Sequence, residues 1–143
     1  MESRKFATAD DIKRLIPQRE PFMMVDEIEA TDDTHAVSAL TVRSDNYFML
    51  PDSTISETGL IEHIAQSCSA LMGCSALGQT HPPVGLIGEV KHFECLRRPR
   101  QDEKIATSIE FGFVFGNVTI ATGESRVGEE LIAKAQLKIF VQQ

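Results

Sequence analysis

The stretch that most constrains the fold is residues 54–77, which combine a helical apolar period with small, uncharged flanks. Apolar residues recur there at spacings of three and four: Leu60, Ile61, Ile64, Ala65, Cys68, Leu71 and Met72. The opposite flank is built from Ala, Ser, Cys and Gly, with no Lys or Arg. A surface helix normally carries a charged, solvated face. The pattern therefore predicts a long central helix, at about 56–77, that is enclosed on most sides and closely approached by other chain segments.

The carboxylate of Glu62 stands out in this helix. It shares a stripe with Thr58, Gln66, Ser69 and Gly73, at spacings of four, four, three and four residues. Because burying a carboxylate without partners is costly, its presence requires an explanation. Two interpretations stay open from the pattern alone. Glu62 is either a chemically active group or a satisfied, solvent-reaching residue near the positive end of the helix dipole.

Length and charge bound the class of protein. A chain of 143 residues favours a single domain, 1–143. A net charge of -7 argues against general nucleic-acid binding. No apolar run approaches the roughly 18 residues of a membrane span, and the first residues lack the apolar core of a signal peptide. We therefore expect a cytoplasmic protein with no membrane span.

The rest of the chain predicts mainly strands. A short helix at about 9–15, capped near Thr8 and stopped by Pro17, comes first. Strand patterns follow at 22–30, 34–43, 84–96, 104–115, 118–127 and 131–141. Tight turns are predicted at 116–117 and 128–129, and residues 81–83 read as a linker. The plan is α+β, with an antiparallel sheet long enough to curl around the central helix.

The central helix has clear start and stop signals. Thr54 with Glu57 fits a capping box, and Ser56 is the alternative cap. Gly78 is a natural C-terminal stop.

Metal and cofactor chemistry has little support in the sequence. The four histidines are scattered without metal-ligand spacing, and no nucleotide-binding motif occurs. The three cysteines lack CxxC spacing, which favours free thiols over a disulfide or zinc site. We expect no metal and no cofactor. His63 points about 100 degrees away from Glu62 on a helix, which favours a packing or interface role.

A basic run is unusual in this acidic chain. Arg97, Arg98 and Arg100 cluster within four residues, with Lys91 nearby. This run is either a solvated loop or a docking patch for an anionic partner or phosphate-bearing ligand.

Three segments resemble the beta-hydroxyacyl-(acyl-carrier-protein) dehydratases. Residues 16–26 (IPQREPFMMVD) are similar to the family's loop and strand, which reads L-P-H-R-x-P-F-L-L-V-D. Residues 62–66 (EHIAQ) match the helix motif E-A-L-A-Q, and residues 88–102 resemble its K-x-x-F, R-R-P and G-D strand. The resemblance runs from about 12 to 141. The chain is especially similar to the divergent branch of aryl polyene and flexirubin pathways, where the helix motif S-E-x-G-L-I-E-x-I-A-Q also occurs.

The resemblance implies the hotdog fold, a curved antiparallel sheet around one helix. It also implies a dimer or higher even oligomer with acyl tunnels at the subunit interface. The substrates would be acyl chains on acyl carrier protein or CoA, and the basic run (Lys91, Arg97, Arg98, Arg100) would face the carrier. Glu62 matches the catalytic carboxylate. Gln66, Phe22 and Gly88 match positions that support or bind substrate.

The chain departs from the family at the base. Gln18 occupies the position of the family histidine that removes the proton alpha to the thioester. A neutral amide cannot act as a base, although it can hydrogen-bond a carbonyl or hydroxyl. The family's G-H-F-P-G loop is also replaced, by residues 47–51 (YFMLP).

Four functions remain open at this point. The first is a dehydratase-like enzyme that uses Glu62 as its acid/base. The second is a half-site subunit that pairs with a His-bearing paralogue. The third is a hotdog thioesterase with a helix carboxylate. The fourth is a non-catalytic acyl-binding protein.

Overall fold

The computed structural model describes residues 3–78 and 84–142. Its helices and strands, numbered in chain order, are β1 (Arg4–Phe6), α1 (Ala9–Lys13), β2 (Glu27–Ala30), β3 (His35–Thr41), α2 (Glu57–Ser75), β4 (Val84–Cys95), β5 (Lys104–Phe115), β6 (Val118–Val127) and β7 (Glu130–Gln142).

In the described residues, seven strands form one sheet in the order β1-β2-β3-β5-β6-β7-β4. Every pairing is antiparallel. Strand β4 follows α2 in the chain but pairs with β7 at the edge of the sheet opposite β1. Helix α2 therefore connects β3 to this opposite edge. Helix α2 contacts all strands from β2 to β7. The α+β hotdog plan is therefore confirmed.

Of the two predicted N-caps of helix α2, the structure uses Ser56. The side chain of Ser56 accepts a hydrogen bond from the Gly59 amide at 3.1 Å. Thr54 serves another purpose, because its hydroxyl accepts a hydrogen bond from Arg98 at 2.9 Å. At the other end the guanidinium of Arg4 donates to the Cys74 carbonyl at 2.8 Å, which satisfies one of the free carbonyls of the last turn.

The core lies between α2 and the sheet, and glycine allows the two to approach. Leu60, Ile64 and Leu71 are fully buried on the inner face of the helix. A Cβ at Gly123 of β6 would lie 2.7 Å from Cγ2 of Ile64, closer than carbon atoms pack. A Cβ at Gly73 would collide with the backbone of Leu15. The small residues of α2 therefore accommodate segments of the same chain.

A strand was predicted at 22–30, but β2 begins only at Glu27, so the prediction was wrong for residues 22–26. The physical reason lies in where the backbone groups find partners. Side chains of α2 take the hydrogen bonds of Phe22 and Met24, so those residues pair with a helix and not with a strand. The three-residue strand β1 was not predicted.

Elsewhere, the predicted cap of α1 and the two predicted hairpin turns agree with the structure. Thr8 caps α1 as expected, although the helix ends at Lys13 and not at 15. The hairpin turns at 116–117 and 128–129 are confirmed, with Gly116 and Gly128 at φ of 56 and 59 degrees, where glycine is favoured. The predicted linker at 81–83 lies outside the described residues. Neither described helix is long and apolar enough to cross a membrane.

The close packing at Gly123 generates a stability prediction. We expect Gly123→Ala to lower the free energy of unfolding by about 1–3 kcal/mol, because Ile64 must shift to admit the methyl group. The matched control is Gly112→Ala, whose Cβ would meet only the Ile120 carbonyl oxygen, at 3.7 Å. Urea denaturation of both variants measures the difference. Equal stability of the two would contradict the packing argument.

Candidate active site

Glu62 lies in the second turn of α2 and is half-buried. Its Oε1 accepts a hydrogen bond from Nε2 of Gln66 at 2.9 Å. Residues four apart on a helix lie on one face, so this contact follows directly from the helical geometry. Within the described residues, Oε2 of Glu62 has no hydrogen-bond partner. One carboxylate oxygen is therefore held by the helix, and the other is available for a ligand.

Gln66 connects Glu62 to the loop that precedes β2. Its side chain is buried, and Nε2 donates a second hydrogen bond to the Phe22 carbonyl at 2.7 Å. Its Oε1 accepts one from the Met24 amide at 2.6 Å. The amide of Gln66 thus makes three hydrogen bonds in fixed directions. The structure brings together Glu62, Gln66 and the backbone of Phe22, three residues that the sequence motifs indicated.

His63 is fully buried and makes two hydrogen bonds. Nδ1 lies 2.6 Å from the Met24 carbonyl oxygen, and Nε2 lies 2.7 Å from the hydroxyl of Thr107 on β5. Burial lowers the pKa of His63 below its ordinary value, because a charged imidazolium would be desolvated in the core. Both nitrogens are engaged, so His63 has no free atom with which to accept a proton from substrate.

Gln18, the position of the family histidine, lies in the loop between α1 and β2 and is half-buried. Its Oε1 is enclosed and accepts no hydrogen bond from the described residues. No hydrogen bond joins its side chain to Glu62 within these residues. Arg19 braces the same loop by donating to the carbonyl oxygens of Ile16 and Gln18, at 2.9 and 2.8 Å.

Phe22, which the resemblance indicated, belongs to an aromatic group whose other members, Tyr47 and Phe48, were not predicted. The ring of Phe22 packs edge-on against Tyr47 with centroids 4.6 Å apart, and Tyr47 packs in turn on Phe48 at 5.2 Å. Phe22 and Tyr47 are exposed, at 47% and 57%. The available signal was the replacement of the family's G-H-F-P-G loop by residues 47–51, which include two aromatic residues.

Gly88 lies on the edge strand β4, at a bulge between Ile87 and Glu89. A Cβ at this position would collide with the ring of Phe140 on β7. Packing against Phe140 is thus a structural reason for a glycine here. A contact with substrate stays a prediction.

The basic run divides into bound and free charges. Arg97 pairs with Glu103 at 2.8 Å and with Glu130 at 3.1 Å, and these carboxylates raise its pKa. Arg98 pairs with Asp52 at 2.8 Å, while Lys91 lies 3.7 Å from Glu89. Arg100 is exposed, and its side chain forms no ion pair with the described residues.

The cysteines are free, as predicted, and two of them lie in the core. Burial raises the pKa of the Cys68 thiol to about 12 and that of Cys74 to about 11, which makes both poor nucleophiles. No group of three or more potential metal ligands occurs in the part of the chain that the structure describes.

A cavity of about 680 Å³ lies elsewhere and is lined mainly by residues of β3, β5, β6 and β7. Its lining includes His35, Val37 and Glu110, and Glu62 is not part of it.

Comparison with known proteins identifies the family. The model of the ApeP-like family, described as ApeP dehydratase, matches residues 10–143. The chain belongs to this dehydratase family. The resemblance inferred from the motifs at 16–26 and 62–66 is thereby confirmed.

Two curated relatives of this ApeP-like chain are also named as dehydratases. It is 29% identical over 133 residues to the 3-hydroxyacyl-[acyl-carrier-protein] dehydratase FabZ of Clostridioides difficile (strain 630), covering 90% of this chain and 92% of the relative. It is 30% identical over 134 residues to FabZ of Natranaerobius thermophilus, with the same coverage.

Solved structures show the same fold. The dehydratase heterocomplex ApeI:P from Xenorhabdus doucetiae matches with a TM-score of 0.83 at 15% identity, covering 92% of this chain and 91% of the matched one. A hypothetical thioesterase protein with coenzyme A from Streptococcus pneumoniae TIGR4 matches with a TM-score of 0.66 at 16% identity, over 80% and 84% of the two chains.

The buried imidazole predicts a pH dependence of stability. Because the pKa of His63 is lowered by folding, the unfolded chain takes up a proton that the folded chain does not. This difference in proton uptake has no effect on stability at high pH. As the pH falls below the pKa of about 6.5 in the unfolded chain, it lowers the free energy of unfolding, with a slope approaching about 1.4 kcal/mol per pH unit. Urea denaturation between about pH 5 and 8 measures this slope.

Two variants separate His63 from other titrating groups. His63→Asn is expected to flatten the slope, whereas His92→Asn, which replaces an exposed histidine on β4, is expected to keep it. The assignment fails if His63→Asn and the parent protein lose stability in parallel on acidification.

Proposed function

We propose that this chain is a dehydratase subunit that acts on β-hydroxyacyl thioesters and contributes Glu62 to a site completed by a histidine of a paralogous partner. The observation that carries the proposal is the oriented carboxylate. Gln66 holds Oε1 of Glu62 and is itself fixed by the backbone of Phe22 and Met24. Membership of the ApeP-like dehydratase family supports the reaction class.

Glu62 would act on the departing hydroxyl. Elimination of water breaks the Cα–H bond and the Cβ–O bond and forms the Cα=Cβ double bond. The hydroxyl leaves more readily when a carboxylic acid protonates it. With Oε1 occupied by Gln66, the proton would be delivered from Oε2.

The base has no candidate among the described histidines of this chain. Both nitrogens of His63 are engaged, and His35 is bound to Asp32 near the β2–β3 turn, at 3.0 Å. The third described histidine, His92, lines the 680 Å³ cavity, of which Glu62 is not part. Gln18 carries an amide, which does not accept a proton at neutral pH. A histidine supplied by a second, related chain would complete the acid and base pair. The name of the ApeI:P structure, a dehydratase heterocomplex, supports this arrangement.

The face of α2 that its own sheet leaves open suits such an assembly. The half-buried residues on this face include Ile61, Ala65, Ser69 and Met72, which are small or apolar and uncharged. We propose that a second subunit covers this face and that the acyl chain runs between the two. Phe22, Gln18 and Gly88 would contact the acyl thioester.

The free charges of the basic run would guide the carrier. Because Arg97 is committed to Glu103 and Glu130, the attraction would come mainly from Arg100, with Lys91 and Arg98 contributing through their exposed parts. An acyl carrier protein or the phosphate of CoA supplies the complementary negative charge.

The decisive experiment is a paired assay of dehydration and thioester hydrolysis. β-Hydroxyacyl thioesters of acyl carrier protein and of CoA are each presented to the chain alone, to a His-bearing paralogue alone, and to the two co-expressed. We expect dehydration from the pair, and a loss of about 10²–10⁴-fold in kcat on Glu62→Gln, which keeps the shape and removes the acid.

Two further results test the division of labour. Gln18→His restores the family residue and is expected to give the chain dehydratase activity without its partner. Full activity of the unaltered chain alone would overturn the half-site assignment. Hydrolysis without dehydration would instead favour the thioesterase alternative, for which the similarity to the Streptococcus pneumoniae structure gives only a shared fold.

Charge reversal tests the carrier surface. Arg100→Glu is expected to raise KM for the carrier-linked substrate by about three- to tenfold at low salt while leaving kcat unchanged, because a rim charge changes the rate of encounter. Arg14→Glu, an exposed arginine at the end of α1, makes the same charge change elsewhere. An equal effect of both variants would show a general charge effect and no docking patch.

A further inference from the structure

A buried hydrogen-bonded chain leads from the sheet to the backbone beside Glu62. It starts at Ser125 of β6, whose hydroxyl lies 2.7 Å from that of Thr107 on β5. The Thr107 hydroxyl lies 2.7 Å from Nε2 of His63, and Nδ1 of His63 lies 2.6 Å from the Met24 carbonyl oxygen. All three side chains are fully buried. The reaction proposed above uses none of them.

The chemistry of the groups fixes the direction of each bond. A carbonyl oxygen only accepts, so Nδ1 of His63 carries the hydrogen that it donates to Met24. Burial lowers the pKa of His63, so the ring is neutral and Nε2 must accept from the Thr107 hydroxyl. The oxygen of Thr107 then accepts from Ser125. One tautomer and one hydroxyl orientation satisfy the whole chain.

Met24 connects this series of hydrogen bonds to Gln66, and Gln66 connects it to the carboxylate of Glu62. Its carbonyl is held by His63, and its amide donates to Oε1 of Gln66 at 2.6 Å. Because Oε1 of Gln66 faces Met24, its Nε2 must face the Phe22 carbonyl and Glu62. His63 and Gln66 are three residues apart and so lie on adjacent positions of the same helix face.

We propose that His63, oriented by Thr107 and Ser125, is a positioning residue for Glu62. It sets the backbone of Met24, which selects the orientation of the Gln66 amide, and that amide directs the carboxylate. The inference rests on the proposed dehydratase role of Glu62. It assigns His63 no contact with substrate.

Two substitutions of His63 separate its two hydrogen bonds. In His63→Asn the side-chain amide takes the place of Nδ1, which keeps the bond to Met24 and loses Thr107. In His63→Gln the amide reaches the place of Nε2, which keeps Thr107 and loses Met24. A purely structural role predicts that both lower stability and neither lowers kcat once folded.

The positioning role predicts different outcomes for the two variants. With the partner present, His63→Gln should lower kcat by about tenfold to a hundredfold with KM unchanged, because a misplaced catalytic group loses rate and not affinity. His63→Asn should stay within about threefold of the parent protein, since the Met24 bond is kept. Equal kcat in the two variants would overturn the proposal.

A second pair of variants guards against misfolding and supplies a matched control. Thr107→Val has nearly the same shape and removes the hydroxyl that bonds to Nε2 of His63 and to Ser125. It leaves the bond from Nδ1 to Met24 in place, so kcat should stay within about threefold of the parent protein, as in His63→Asn. Ser38→Ala removes another buried hydroxyl bond, to Ser67 at 2.6 Å, which does not lead to Met24. It should lower the melting temperature without lowering kcat. If Thr107→Val lowers kcat as much as His63→Gln does, loss of the Met24 bond is not the cause and the proposed positioning role of His63 is wrong.

A spectroscopic measurement keeps the inference separate from the proposed activity. The side-chain amide resonances of Gln66 report its hydrogen bonds whether or not the protein turns over any substrate. They should shift in His63→Gln and stay in place in His63→Asn, Thr107→Val and Ser38→Ala. Unshifted resonances in His63→Gln would refute the coupling. Absence of dehydration with shifted resonances would refute the function and keep the coupling.

Discussion

Three hydrogen bonds from side chains of α2 hold the backbone of residues 22–24, and the geometry of the site depends on them. Residues 22–24 belong to no strand, because β2 begins only at Glu27. An unpaired buried backbone group costs about 1–3 kcal/mol, so the segment needs partners from elsewhere. His63 and Gln66 provide them. The same bonds that fix the loop also fix the group that contacts Glu62.

Local signals predicted most of the fold. The period of residues 54–77 identified α2, and the glycines at 116 and 128 located two hairpins, because both depend on neighbouring residues in the chain. The start of β2 could not be predicted in this way. Residues 22–26 have an apolar, strand-like composition, yet the partners of Phe22 and Met24 are side chains about forty positions away. Strand β1 is too short to carry a pattern.

The candidate site was predictable only in part. The helical stripe singled out Glu62 and the helix motif indicated Glu62 and Gln66, which the structure joins by a hydrogen bond. His63 gave no functional signal, because nothing in the sequence reveals that Met24 and Thr107 lie on either side of its ring. The charges of the basic run were visible, but only the fold shows that Arg97 is neutralised by Glu103 and Glu130.

The fixed amide of Gln66 has a stereochemical consequence. A carboxylate with one oxygen tied down presents the other along a single direction. In the proposed reaction, Glu62 would therefore not serve both faces of a substrate equally. In the proposed dehydration, a hydroxyl on one side of the β carbon would meet Oε2, and its mirror image would point away. The selection of one β-hydroxy enantiomer would then originate in a hydrogen bond between two residues of the same helix.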